Sequence, residues 1–354
     1  MEDTLKCGRA RLFTVFAAGV LAALLLTGCT GEGEKTQDAM QLIKGLDFER
    51  ALEALDAAEE QDENIRLVNR ARGIAYMGLT EYEQAAACFE AAIAGSSGLV
   101  ENVDYDLNYY LAAAYAKSGR NLEAESVYNA ILALRPQEKD ALFLRGNARM
   151  ALGNFEGAKA DFDKVISMDT KDYDRLIEIY EVLDFYGYGE AGQTYLRTAL
   201  ESGDKQMDKY VSGRIYYYLG EYQNAYMDLE EAKEKGGAES YLYLGRAYEA
   251  TGDYNYAANV YRSYLDKNEG NAEMYNQLGL CEMTRGDYQS ALEAFQAGMR
   301  LENTTMMQTL SFNEIVAYEY LGEYRQAYVL IENYLRNYPD DEQARREYQF
   351  LSTR

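Results

Sequence analysis

The sequence predicts an all-α chain built as a linear stack of helical hairpins. Three observations predict it: a six-residue segment that returns at a nearly fixed interval, apolar spacing of helical period on both sides of that segment, and small residues at one offset inside the first helix of each pair. The segment is clearest at Gly252-Asp253-Tyr254-Asn255-Tyr256-Ala257. Near copies stand at Gly153 to Ala158, Gly220 to Ala225, Gly286 to Ala291 and Gly322 to Ala327, with looser ones at Leu46 to Ala51, Thr80 to Ala85, Gly119 to Ala124 and Gly187 to Gly192. Their last residues, taken as register marks, fall at 51, 85, 124, 158, 192, 225, 257, 291 and 327. A stack grows by adding units, so the 354 residues need not be divided among two or three globular cores.

Each unit reads as two helices. Around Ala257, residues 239–251 place Leu242, Leu244, Ala247 and Tyr248 at helical spacing. Gly252 ends that helix in the left-handed conformation, Asp253 is positioned to cap the next, and Tyr254 to Leu265 resumes the pattern. Twelve positions before the mark stand Gly73, Gly146, Gly213, Gly245 and Gly279. Glycine inside a helix costs about 1 kcal/mol against alanine, so its recurrence implies close helix approach, with the register alanine facing the same spot. Three positions before the mark, Phe48, Tyr82, Phe155, Tyr222, Tyr254, Tyr288 and Tyr324 are expected to wedge between neighbouring units. The repeat-structural set is thus Gly245, Gly252, Tyr254, Ala257, Gly286, Tyr288, Ala291, Gly322, Tyr324 and Ala327.

Composition narrows the function. The net charge of −24 sets the chain against nucleic acid and anionic polymers. With no histidine, His-based triads and mixed Cys/His zinc sites are excluded. Cys88 and Cys281 sit on apolar helical faces in distant units and read as small buried residues. No P-loop, G-x-S-x-G or H-E-x-x-H occurs, and no cofactor or metal is expected. Gly187 to Gly192 matches G-x-G-x-x-G but falls on the repeat turn, in register with Gly153 and Gly220, so it reads as a turn. Asp169, Asp172 and Asp174 lack calcium-loop spacing and read as an acidic loop between units. Most of the 34 tyrosines read as core.

Lys6, Arg9 and Arg11 precede an apolar run, Leu12 to Leu26, that is shorter than the ~20 residues a membrane span usually needs. A basic start followed by a short apolar segment is a secretory signal. The ending Leu26-Thr27-Gly28-Cys29 resembles the lipobox of bacterial lipoproteins. That resemblance implies removal of residues 1–28, acylation of Cys29, a tether over 29–36, and a lipid anchor on the extracytoplasmic face of the cell membrane or outer membrane.

The period, the hairpin layout, Leu244-Gly245-Arg246-Ala247-Tyr248 and the late prolines Pro136 and Pro339 together resemble the tetratricopeptide repeat. The resemblance covers about residues 32–340 and implies a right-handed superhelical solenoid. Its units lie near 32–65, 66–99, 105–138, 139–172, 173–206, 206–237, 238–271, 272–305 and 308–340, followed by a capping helix over 341–354 started by Asp340 or Asp341. The first unit lacks the glycines, and Gly189 replaces the aromatic wedge of the fifth, which reads as a softer joint.

In such arrays the first helices line a concave groove. By the resemblance, that face would carry Arg70, Tyr109, Phe143, Asn147, Glu181, Asp184, Tyr210, Arg214, Tyr217, Arg246, Asn276 and Phe312. The candidate partner-binding residues are Tyr210, Arg214, Tyr217 and Arg246 beside Glu181 and Asp184, with Asn147 and Tyr109; the alternative is that both arginines simply pair with neighbouring carboxylates. The Lys/Asn clamp of chaperone-tail-binding repeats is not reproduced there. The expected function is a membrane-anchored, non-catalytic scaffold in the cell envelope that binds an extended peptide or protein. The alternative is an envelope receptor for glycans or oligosaccharides, its tyrosines stacking on sugars.

Overall fold

The computed structural model describes residues 33–96, 101–202, 207–268, 270–301 and 304–354. Among them are nineteen helices and no strand. They divide into two compact units between Gly189 and Glu190. The first contains α1 (Glu34–Lys44), α2 (Phe48–Glu60), α3 (Ile65–Gly78), α4 (Tyr82–Ala94), α5 (Asn102–Lys117), α6 (Asn121–Leu134), α7 (Lys139–Ala151), α8 (Phe155–Met168) and α9 (Tyr173–Phe185). The second opens with α10 (Gly189–Ser202) and continues through α11 (Lys209–Tyr218), α12 (Tyr222–Ala232), α13 (Gly237–Ala250), α14 (Tyr254–Leu265), α15 (Ala272–Arg285), α16 (Tyr288–Met299), α17 (Met307–Tyr320), α18 (Tyr324–Asn337) and α19 (Glu342–Leu351). In the first unit α1 to α8 pair as four hairpins, each packed on the next, with α9 against α7 and α8; in the second α11 to α18 pair as four more, closed by α19 against α18.

The turn explains the hexapeptide. Its first residue takes a positive φ in every copy, for example +80° at Gly252, a region that costs ordinary residues about 1–2 kcal/mol. The two copies without glycine keep this geometry: Leu46 has φ 61° and Thr80 has φ 62°. At the next position Asn154 and Asp287 cap their helices, accepting from Gly157 N at 3.0 Å and Ser290 N at 3.1 Å. Asp253 departs from its expected role. Its side chain makes no cap bond, and its contribution is its carbonyl, which accepts from Ala257 N at 3.1 Å.

The recurring helix glycines sit under large side chains. A Cβ placed on Gly245 would lie 2.2 Å from the Tyr261 ring, and Gly73, Gly146 and Gly279 face Phe89, Phe162 and Phe295 in the same way, while Gly213 faces Leu229. The filling residue is therefore the one four places after the register mark, not the register alanine itself. That alanine is fully buried in its own right, as at Ala257, Ala291 and Ala327.

The aromatic wedge works between hairpins. Tyr288 meets Tyr320 of the next first helix at 5.0 Å, and the Phe48 ring lies against Gly78. Gly189 offers no side chain to serve as a wedge; Tyr188, one residue earlier, packs backward as the partner of the preceding wedge, stacking on Phe155 at 4.1 Å. Tyrosine as a class is less buried than expected. Only seven of the 34 are in the buried core and most others are half-buried at helix seams, because the ring has to pack while the hydroxyl stays near polar partners.

Both ends of the described chain have identifiable stops. Glu34 starts α1 inside the stretch expected as tether. The Glu63 carboxylate caps it from the next hairpin, accepting from Lys35 N at 2.9 Å and Thr36 N at 3.0 Å. Asp341 starts α19, accepting from Gln343 N and Ala344 N, both at 3.0 Å. Ala344 and Leu351 then cover Phe312, Ile315 and Ile331 of the last hairpin. Cys29 and the 1–28 segment lie outside the described residues. No helix among the described residues is long and apolar enough to cross a membrane.

Candidate functional site

Of the predicted site residues, the structure brings together Tyr210, Arg214, Tyr217 and Arg246, all in the second compact unit. They meet around Tyr243, which sequence reasoning did not single out. The Tyr243 ring lies 5.2 Å from the Arg214 guanidinium and 5.7 Å from that of Arg246. Tyr217 and Tyr218 meet it edge-on at 5.6 and 6.0 Å, and the Tyr218 and Tyr243 hydroxyls are 3.0 Å apart. Arg214 also lies over Tyr210, at 5.1 Å, and the Tyr210 hydroxyl donates to Glu239. Helical spacing explains the assembly: Arg246 stands three residues after Tyr243 on α13, and Arg214 stands four after Tyr210 on α11, so each cation shares a face with a ring.

The charges in this cluster are partly answered from within. Arg246 donates to Glu273 of α15 at 2.7 Å, as the ion-pair alternative requires. Burial works against the Arg246 charge, but Glu273 and the surrounding tyrosines outweigh it and hold its pKa above the ordinary arginine value. Burial also raises Tyr210 and Tyr217. These phenols therefore stay protonated around neutral pH and serve as hydrogen-bonding groups and ring faces rather than proton carriers. One turn after Arg246, Glu249 accepts from the Tyr261 hydroxyl at 3.0 Å, and burial lifts its pKa to about 7 despite the nearby cation.

Four residues assigned to the groove are interior. Arg70, Phe143, Asn276 and Phe312 are 2, 5, 5 and 6 % exposed. All four occupy the position fifteen before the register mark. The helices of a hairpin run antiparallel, so the start of the first lies against the end of the second. Phe143 accordingly meets Phe162 at 6.1 Å and Phe312 meets Tyr334 at 5.7 Å. Arg70 pairs with Asp106 at 2.6 Å, and Asn276 accepts from Asn313 at 2.8 Å. Tyr109, at the same offset, is half-buried at 6.4 Å from Tyr128. Asn147 is half-buried on α7.

Glu181 and Asp184 belong to α9 of the first unit, both half-buried. On the same helix Arg175 lies over Phe143 at 4.3 Å and pairs with Asp140 at 2.6 Å and Glu178 at 2.7 Å. An arginine set on a ring and tied to a carboxylate thus recurs along the first helices. What sets the second-unit cluster apart is two arginines on one tyrosine.

Other predicted features take structural roles. Asp172 caps α9 through Arg175 N at 3.2 Å and pairs with Lys139 at 2.6 Å. Cys88 and Cys281 are free thiols; Cys88 is half-buried, and Cys281 is buried, its pKa pushed up to about 12 by burial. Among the described residues no group of three or more acidic or cysteine side chains is placed to hold a metal ion.

A run of hairpins with a common turn, a common glycine hollow and a common wedge defines a helical repeat protein. The tetratricopeptide repeat model matches residues 70–139, 109–174, 210–272 and 242–300, more than half of the chain, and the chain belongs to that family. Among curated proteins it is 26 % identical over 152 residues to RNA polymerase II-associated protein 3 of Xenopus tropicalis, a match that covers 39 % of this chain and 22 % of that one. Among solved structures it is similar to a tetratricopeptide repeat protein from Parabacteroides merdae, at 16 % identity and a TM-score of 0.44, covering 80 % of this chain and 99 % of that one. It is also similar to YrrB, described as a tetratricopeptide repeat protein with an unusual peptide-binding site, at 21 % identity and a TM-score of 0.37, covering 53 % of this chain and 97 % of that one. Proteins of this family act as protein–protein interaction scaffolds.

Proposed function

We propose that this chain is a non-catalytic scaffold, lipid-anchored through Cys29 on the extracytoplasmic face of a bacterial membrane, that holds an extended peptide or protein partner. The observation that carries the binding reading is the sharing of Tyr243 between Arg214 and Arg246. It concentrates two guanidinium groups and three further tyrosine rings, those of Tyr210, Tyr217 and Tyr218, in a chain that is otherwise strongly acidic. Arginine and tyrosine dominate binding hot spots because they offer large rigid contact area together with hydrogen bonds. Crosslinking in intact cells with an Arg214→Glu, Arg246→Glu double variant tests it. Partner recovery falls if the cluster binds, and unchanged recovery from a folded variant rejects it. The anchor is tested separately by Cys29→Ala, which is expected to shift the chain from the membrane fraction to the soluble fraction.

One observation supports a second reading, glycan binding. Tyr226, Tyr248 and Tyr256 form a ladder with ring separations of 4.4 and 5.5 Å, and Tyr256 is 59 % exposed, as a sugar-stacking platform would be. A glycan array probed with the purified chain distinguishes the two readings. A sugar hit that Tyr256→Ala abolishes favours the receptor.

A further inference from the structure

The last first helix and the capping helix meet through two acids. Glu319 of α17 and Glu347 of α19 are within hydrogen-bonding reach of each other, and Glu319 Oε1 is sealed from solvent with no hydrogen-bond donor among the described residues. Two carboxylates in contact repel, whereas one carboxylic acid and one carboxylate share a proton as a strong hydrogen bond.

Among the described residues no cation is paired with Glu319 to replace that proton. From α16 the titratable group is Tyr288, whose ring lies on Tyr320. On α17, Glu314 and Tyr318 are engaged with Gln296. From α18 comes Tyr328, its hydroxyl 3.0 Å from both Glu332 and Tyr348. On α19, Arg345 is taken by Asp340 at 3.0 Å and Arg346 is exposed, while the terminal Arg354 lies over Phe350 and Tyr324. Burial acts first on Glu319 and the Glu347 carboxylate second, and both raise its pKa.

We infer that a proton shared between Glu319 and Glu347 latches the capping helix onto the last hairpin, and that its loss at mildly alkaline pH releases the helix and bares the apolar face formed by Phe312, Ile315 and Ile331. The sign follows from linkage. Glu319 has its pKa raised from 4.5 to about 8 when α19 is docked, so the docked state keeps a proton that the open state has lost. Docking is strongest at acid pH and weakens as pH rises from about 4.5 through about 8.

The test is amide hydrogen exchange of residues 342–351 in the full chain between pH 5.5 and 8.5, corrected for intrinsic exchange. One linked proton gives an opening equilibrium that grows by up to about tenfold per pH unit below pH ~8. Glu319→Gln is expected to flatten that dependence while keeping the helix docked, because an amide donates without titrating. Glu347→Gln, as an independent variant, should flatten it from the other side. Retention of the wild-type slope in both variants, or a flat wild type, overturns the inference. So does protection that depends on added calcium rather than on pH, since a bridging cation would then be the latch.

Discussion

Replacing Thr80 with glycine should stabilise this protein, although glycine removes a side chain. Thr80 has φ 62° at the position where seven other copies of the turn carry glycine. Holding an L-residue there costs about 1–2 kcal/mol, and a β-branched one fits worst. Glycine relieves that strain but gives back about 0.5–1 kcal/mol through the greater freedom of its unfolded chain. Thr80 is exposed, so little packing is lost. The expected net gain is about 0.5–1 kcal/mol. Gly252→Thr at the same register, where an added side chain has open space but φ is +80°, should reverse the sign and cost about 0.5–1 kcal/mol net of the same offset. Repeat arrays open locally, so the assay is urea unfolding combined with hydrogen exchange across the turn between α3 and α4. A lower midpoint for Thr80→Gly, with slower exchange nowhere, would refute the claim that backbone conformation dictates the hexapeptide.

Three further outcomes follow from single contacts. Gly245→Ala gains helix propensity but drives a methyl into the Tyr261 ring, and should lower stability by about 1–3 kcal/mol in thermal unfolding. Glu282, fully buried beneath the half-exposed Arg262 and Arg285, should cost about 1–3 kcal/mol on change to alanine, because two arginines lose their shared anion but remain open to water; urea titration measures it. Glu249 keeps its proton in the folded chain up to about pH 7, against an ordinary 4.5, so its contribution falls as pH rises through that window. The unfolding midpoint of Glu249→Gln should therefore depend less on pH than the wild type's.

Much of the architecture could be read directly because it rests on neighbours in the chain. Turn residue, register alanine, helical spacing and period are set by backbone geometry over a few residues, and even the hollow at Gly245 announced itself through the cost of glycine inside a helix. Partners across helices were less visible. The filling of that hollow by Tyr261 rather than Ala257, the capping of α1 by Glu63, and the stacking of Tyr188 on Phe155 all depend on distances between separate segments.

The candidate site divides the same way. The sequence alone determined that Arg214 and Arg246 occupy equivalent places in adjacent repeats, since equivalence is a matter of counting. Only the tertiary structure decided that Tyr243 joins them, that Glu273 already answers Arg246, and that Arg70, Phe143, Asn276 and Phe312 face inward. Register fixes where a side chain stands on its own helix; which surface that place becomes depends on how the antiparallel helices overlap, and no local pattern records that overlap.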